Sequence, residues 1–247
     1  SSPREPWRFG EPYTTIIRKF LKLRYRLLPY WYSLAWQANQ TGEPLIKPLF
    51  WFSPSDPRYY NIDDSFVVGD ALLVAPVCAQ RAITRSITLP PGYWYNFWDD
   101  TLLKSSGEGL NVSAPIEIMP IFAKAGKILP IQDGETLTLH LYMPVYTPSE
   151  ASSSLDECAL TLYSDAGDGF PTKPEDYRIN KFYLHLENNS ILIHREEIGE
   201  YPYPYRSTQL HIHGTMPSQI EVDGTTVTNQ GKIINTGLFK EILLKLP

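Results

Sequence analysis

The chain has 247 residues, of which 43% are apolar and 20% charged, and it carries a formal net charge of -5 at pH 7. That length predicts one large β domain or two to three smaller ones, and the ordinary globular composition excludes a disordered or low-complexity chain. The absence of a Lys/Arg cluster argues against nucleic acid as a partner, because phosphate binding by counterion release needs grouped cations. No run approaches the roughly 18 apolar residues of a membrane helix, and SSPREPWRFG lacks the apolar stretch of a signal peptide, so no membrane partner is expected. The first residue is not methionine, which suggests a fragment or a processed product.

From Thr14 to Asn39 apolar residues recur at i, i+3, i+4 and i+7, from Ile16/Ile17 through Phe20/Leu21, Leu27/Leu28 and Trp31/Tyr32 to Ala38. This spacing predicts an amphipathic helix, ended by Gly42 as a left-handed cap and by Pro44. Pro29 predicts a kink and a second, shorter helical piece, because its missing N–H leaves the carbonyl of Tyr25 without its helical donor. After Pro44 the period shifts towards 2, with ALLVAPV, AITRSITLP, GYWYNFW and IEIMPIFAKAGKILPI broken by Pro and Gly. A fresh series of strand-like runs begins near Thr136, so two antiparallel sandwiches are expected, with the boundary near Gln132 to Glu135. Asn188-Asn189 and Asp223-Gly224 stand where hairpins need positive φ, and TPSEASSSLDE (147–157) reads as a loop inside the second sheet.

Glycoside hydrolysis needs two carboxylates facing each other across the scissile bond. The candidates are Asp63-Asp64, Asp99-Asp100 and Glu196-Glu197, for which turn-forming or solvated-edge roles are the stronger reading. Asp165 and Asp168, in LYSDAGDGF, could offer oxygens to calcium, but the spacing is not that of an EF-hand. His211 and His213 alternate on a strand with His194 nearby in sequence, yet no acidic or thiol ligand is spaced to join them, so no metal site is expected. No nucleophile elbow, P-loop or dinucleotide fingerprint appears, and no cofactor is expected. Trp51, Tyr93, Trp94, Tyr95, Phe97 and Trp98 could stack sugars, although inward-facing sandwich positions account for most of them. Cys78 and Cys158 lie in apolar runs and read as buried thiols. A reducing, cytoplasmic setting fits them, while a long-range disulfide and a secreted or lumenal setting stay open. The acceptor triplets at Asn39, Asn111 and Asn188 do not decide between these.

The ordered series REPWRFGE, LRYRLLPYWYSLAWQANQTGEPLIKPLF, DDSFVVGDALLVAPV, LPPGYWYNFWDD and APIEIMPIFAKAGKILPI resembles the C-terminal part of glycoside hydrolase family 31, which includes α-glucosidases and α-xylosidases. The likeness runs from about Arg4 to Pro130 and then thins to LYSDAGDGF and the VDG hairpin. It implies a mainly β fold: residues 1–43 as the last helical segment of a (β/α)8 barrel, 44–131 as a proximal β-sandwich and 132–247 as a distal one. The activity it implies is retaining hydrolysis of non-reducing-end α-glycosidic bonds, with the Asp nucleophile and Asp acid/base on barrel strands that precede this chain. No catalytic residue is therefore expected here, and no substrate-binding residue can be assigned, although Arg4 and Glu5 are expected near the barrel rim. Lys47, Lys124 and Lys127 are small departures from the family pattern. The implied partners are an α-linked glucoside or oligosaccharide and the N-terminal catalytic portion. Alone, the chain is expected to expose a helix face bearing Ile17, Leu21, Leu28 and Trp31, and to be inactive. A carbohydrate-binding module using Tyr201, Tyr203 and Tyr205, or an oligomerisation module, is the alternative.

Overall fold

The computed structural model of the chain describes residues 4–145, 158–187, 189–227 and 231–247. The amphipathic stretch forms two helices, α1 (Tyr13–Arg26) and α2 (Leu28–Thr41), divided at Leu27. Pro29 lies in the first turn of α2, where its missing N–H costs nothing because the first N–H groups of a helix have no internal partner. The expected kink is thus a restart: Leu27 N donates to Leu23 O, and Trp31 N donates to Leu27 O. α2 ends at Gly42, whose φ of 77° and ψ of 1° allow its N–H to reach Ala38 O.

Eight strands follow: β1 (Ile46–Pro48), β2 (Phe66–Val68), β3 (Leu72–Val74), β4 (Thr84–Thr88), β5 (Gly92–Asn96), β6 (Leu102–Ser105), β7 (Gly109–Ser113) and β8 (Ile121–Lys124). They form a six-stranded sheet in the order β1-β2-β3-β8-β5-β6, covered on one side by the β4-β7 pair. The large sheet is buried on both faces, which its period-2 pattern encodes. Val67, Leu73, Trp94 and Phe122 point to one cluster. Val68, Leu72, Tyr95 and Ala123, each one residue along, point to another that they share with Leu27, Tyr30 and Leu34 of the helices.

Among the described residues ten more strands build the second unit: β9 (Lys127–Asp133), β10 (Thr136–Tyr142), β11 (Cys158–Asp165), β12 (Tyr177–Glu187), β13 (Ser190–Ile198), β14 (Ser207–His213), β15 (Gln219–Val222), β16 (Thr225–Val227), β17 (Ile233–Asn235) and β18 (Glu241–Lys245). The sheets are β17-β14-β10-β9 and β11-β12-β13-β18-β15-β16. Among the described residues the pairs are antiparallel with one exception, β10 beside β14, which is parallel. β9 joins β10, so the chain changes sheets at Ala125–Gly126, earlier than Gln132 to Glu135. The Gly134-Glu135 pair that reads as a boundary is instead a hairpin turn, with Asp133 opposite Thr136 and Gly134 at φ 58°. The Asp223-Gly224 hairpin forms as expected, with both residues at positive φ and Val222 opposite Thr225. Asn189 also has positive φ, whereas Asn188 and residues 147–157 lie outside the described residues.

One apolar cluster runs from the helices through the proximal sheet into the distal sandwich. Polar side chains on α2 find partners in both β units: Tyr30 Oη donates to Val68 O at 3.0 Å and accepts from Ala71 N at 3.3 Å. Ser33 Oγ donates to Pro29 O and accepts from Tyr163 N at 2.9 Å. Gly69, at φ +60°, lies directly over Tyr30; a Cβ there would stand 2.2 Å from the phenol oxygen and 2.8 Å from Leu34 Cδ2. Two outcomes are expected in urea unfolding. Tyr30→Phe lowers stability by about 1–3 kcal/mol through stranded backbone groups, and Gly69→Ala lowers it by about 1–3 kcal/mol through overpacking. In the double variant the losses sum to less than their total, because the phenol oxygen is no longer in the way.

Candidate functional site

The structure disperses the carboxylates rather than gathering them. Asp64 pairs with Arg85 at 2.7 Å. Asp99 accepts from Thr101 N at 2.9 Å, the Asx-turn role expected of it. Asp100, at φ 62°, departs from that role: it bonds His213 at 2.6 Å and Lys232 at 2.7 Å across the seam between the two β units. Glu197 is exposed near the end of β13, as expected of a solvated edge, and it is also held by Arg178 and by Arg195, the latter at 2.5 Å. Glu196 accepts from Tyr183 Oη at 3.1 Å.

Asp165 spends its oxygens within the fold. Oδ1 accepts from Tyr32 Oη at 2.6 Å and from Gly167 N at 2.7 Å, and Oδ2 accepts from Tyr163 Oη at 2.7 Å. Desolvation opposes its ionisation, but these donors outweigh it and hold its carboxyl below the usual range, while the Tyr32 phenol is pushed up to about 12 by partial burial and by the carboxylate. Asp168 is exposed.

The aromatic residues divide as sandwich packing predicts. Trp94 and Tyr95 are buried, Phe97 and Trp98 pack at the margin of the core, and Trp51 is exposed. Tyr203 and Tyr205 are not free platforms, because both pack against the core and edge-on to each other at 5.3 Å. An aromatic surface that sequence reasoning missed lies between α2 and β11. Trp36 stacks on Tyr163 at 5.2 Å with the rings 8° apart, and Tyr32, Asp165, Tyr177 and a 93% exposed Phe170 complete a groove of about 490 Å³. Its two sides, Tyr32 and Trp36 on α2 and the residues from Tyr163 onwards, are far apart in sequence, so only the docking of α2 brings them together.

Cys78 is exposed, contrary to its apolar sequence context, because β3 ends at Val74 and the chain then leaves the sheet. Cys158 is half-buried, and both thiols are free. Lys47 is buried beside Glu43 and under Trp51, and Lys127 is buried against Asp70 at 2.7 Å. Lys124 lies over Phe52, and Arg4 and Glu5 are exposed.

His194 belongs to β13 in the other sheet, where Glu241 lies 3.3 Å away, so it does not join His211 and His213. The residue that does is His140. Parallel pairing sets His140 opposite His211 and Tyr142 opposite His213, which puts all four rings on one face.

A model of the glycosyl hydrolase family 31 C-terminal domain matches residues 42–129, and a model of the glycosyl hydrolases family 31 TIM-barrel domain matches residues 1–34. The chain is 32% identical over 231 residues to Alpha-glucosidase 2 of Bacillus thermoamyloliquefaciens, covering 90% of this chain and 28% of that protein. It is 36% identical over 130 residues to an Alpha-xylosidase of Saccharolobus solfataricus, covering 52% of this chain and 18% of that one. A Flavobacterium johnsoniae GH31 dextranase, solved in complex with isomaltotriose, matches with a TM-score of 0.82 and 27% identity, over 98% of this chain and 34% of the dextranase. The chain belongs to glycoside hydrolase family 31, as a C-terminal portion with a mainly β fold. It spans 28% and 18% of the two enzymes matched by sequence.

The Asp165 network yields a direct expectation. Asp165→Ala lowers stability by about 1–2 kcal/mol, because two phenols and a turn N–H lose their acceptor. Millimolar Ca²⁺ leaves the thermal midpoint of the unaltered chain in place, which calorimetry with and without the ion checks.

Proposed function

We propose that this chain is the supporting C-terminal part of a retaining α-glycosidase of α-glucosidase type, acting on non-reducing-end α-glycosidic bonds. In this reading the catalytic Asp pair lies in barrel strands outside the chain, and the chain by itself is inactive. The observation that carries it is the state of α1. The helix is amphipathic, yet none of its residues is buried, and Leu21 (44%), Tyr25 (68%) and the adjoining Leu28 (49%) are exposed. An apolar helix face needs a partner, and this segment falls within the match to the family's barrel domain. Ile17 and Trp31, expected on the same exposed face, are instead half-buried. Beside them Phe20, Leu23, Phe66 and Phe97 line an apolar groove. On this reading the sandwiches hold the last barrel helix in place from behind, while the rest of the barrel covers its front.

The whole enzyme's substrate is then an α-linked glucoside or oligosaccharide, a class supported by the relatives' names and by the isomaltotriose in the dextranase complex. The two free thiols favour a reducing, cytoplasmic setting. Among the described residues no helix is long and apolar enough to cross a membrane. Nucleic acid remains outside the proposal because the net charge is -5.

The test is hydrolysis of p-nitrophenyl α-glucoside by the purified chain, alone and mixed with the N-terminal portion of the same enzyme. Activity is expected only in the mixture. Leu21→Asp and Leu28→Asp each reduce the recovered activity by about 10-fold or more, since each puts a charge where the joint would bury a leucine, a burial worth about 1.5–3 kcal/mol when complete. Activity from the chain alone would sink the proposal.

A second reading, glycan binding by the chain itself, is favoured by the Trp36, Tyr163 and Phe170 groove, which offers ring faces beside the Asp165 carboxylate. It predicts saturable quenching of tryptophan fluorescence by isomaltotriose, weakened at least several-fold by Phe170→Ala. A flat titration removes this reading.

A further inference from the structure

We propose that His140, His211 and His213 form a binding site for one divalent transition-metal ion of the zinc class, with Asp100 as the residue that orients His213. The three imidazoles come from adjacent strands, β10 and β14, and their ligand nitrogens lie within 4.8 Å of one another. The rings are packed face to face or tilted, with centroids 4.2 to 5.0 Å apart. Two of the side chains are half-buried and His213 is buried, so the cluster has both a floor and an open side. Three protein nitrogens with water in the fourth position is a common arrangement for zinc.

Asp100 already fixes the orientation of one ligand ring. His213 Nδ1 lies 2.6 Å from Asp100 Oδ1, which makes Nδ1–H the donor and leaves Nε2 with a free lone pair. That lone pair now faces His140 Nδ1 at 2.8 Å, where one proton joins the two rings. Tetrahedral ligation at about 2.0–2.1 Å sets ligand nitrogens about 3.3 Å apart. An opening of roughly half an ångström between these two rings, with the His211 nitrogen drawn in from its place within 4.8 Å of them, lets a metal take the place of that proton. The proton balance closes without release: His140 keeps one proton by shifting it to Nε2 through solvent, and His213 keeps its own on Nδ1. Lys232 Nζ, 2.7 Å from Asp100 Oδ2, holds the carboxylate in this orientation.

Asp100 belongs to the turn between β5 and β6 and the histidines to β10 and β14, so a bound ion would tie the proximal and distal units together.

The experiment uses the complete 247-residue chain, stripped with EDTA and re-equilibrated with Zn²⁺ or Co²⁺. Metal content after gel filtration, the visible absorption of Co²⁺ and the thermal midpoint are followed together. One ion per chain, ligand-field bands of a low-coordinate Co²⁺ site, and a midpoint raised by about 5–10 °C at a hundredfold excess over Kd are expected. His211→Ala, at a half-exposed position, lowers the affinity by about 100-fold or more. Asp100→Asn lowers it by about 10–100-fold while keeping the bands. His185→Ala and His194→Ala leave binding unchanged. His140→Gln, close in shape, reproduces the loss if the alanine variant unfolds. Failure to retain the ion, retention that survives His211→Ala, or a loss in His194→Ala equal to that in His211→Ala overturns the proposal and leaves the cluster as a hydrogen-bonded relay.

Discussion

A polar side chain buried between two layers has to find its partner inside the protein, and α2 is arranged around that requirement. Its Tyr30 hydroxyl bonds the backbone of the proximal unit at Val68 and Ala71. One turn further on, the Ser33 hydroxyl bonds the distal unit at Tyr163. Neither hydroxyl can move without stranding backbone groups, so the helix fixes both β units in one register. The apolar stripe of Leu27, Tyr30 and Leu34 does the rest, drawing both sheets into one continuous core.

The direct contact between the β units follows from this register. Tyr95 Oη donates to Met143 O at 3.0 Å, and Asp100 reaches His213 and Lys232. Arg26, at the end of α1, forms a bidentate pair with Asp133 of β9, both contacts at 2.6 Å. That pair is exposed and contributes little by itself. The buried contacts carry the seam. A chain built this way is a rigid bracket, and its function as proposed is to present the front of α1 to the remainder of a barrel.

Much of the architecture was legible in the chain. The helix restart just before Pro29, the cap at Gly42, the two-faced burial of the proximal strands and the Asp223-Gly224 hairpin all follow from local rules about φ, missing donors and period-2 alternation. The site was less legible. Asp99 read correctly as a turn former, but Asp100 beside it acts across a seam that local rules do not describe. Cys78 looked buried because its neighbours are apolar, although the strand ends four residues before it.

The amino-acid sequence by itself determined the element types, the family and the mainly β class, because these rest on short-range periodicity and on an ordered series of motifs. Only the tertiary structure decided which histidines meet, where the chain changes sheets and which aromatics share a groove. His140 and His211 are neighbours because β10 and β14 run parallel, and a parallel pair is separated by intervening chain that carries no mark of its register. Trp36 meets Tyr163 for a related reason: the face of α2 that docks is chosen by the combined fit of both β units, a constraint spread over the whole chain.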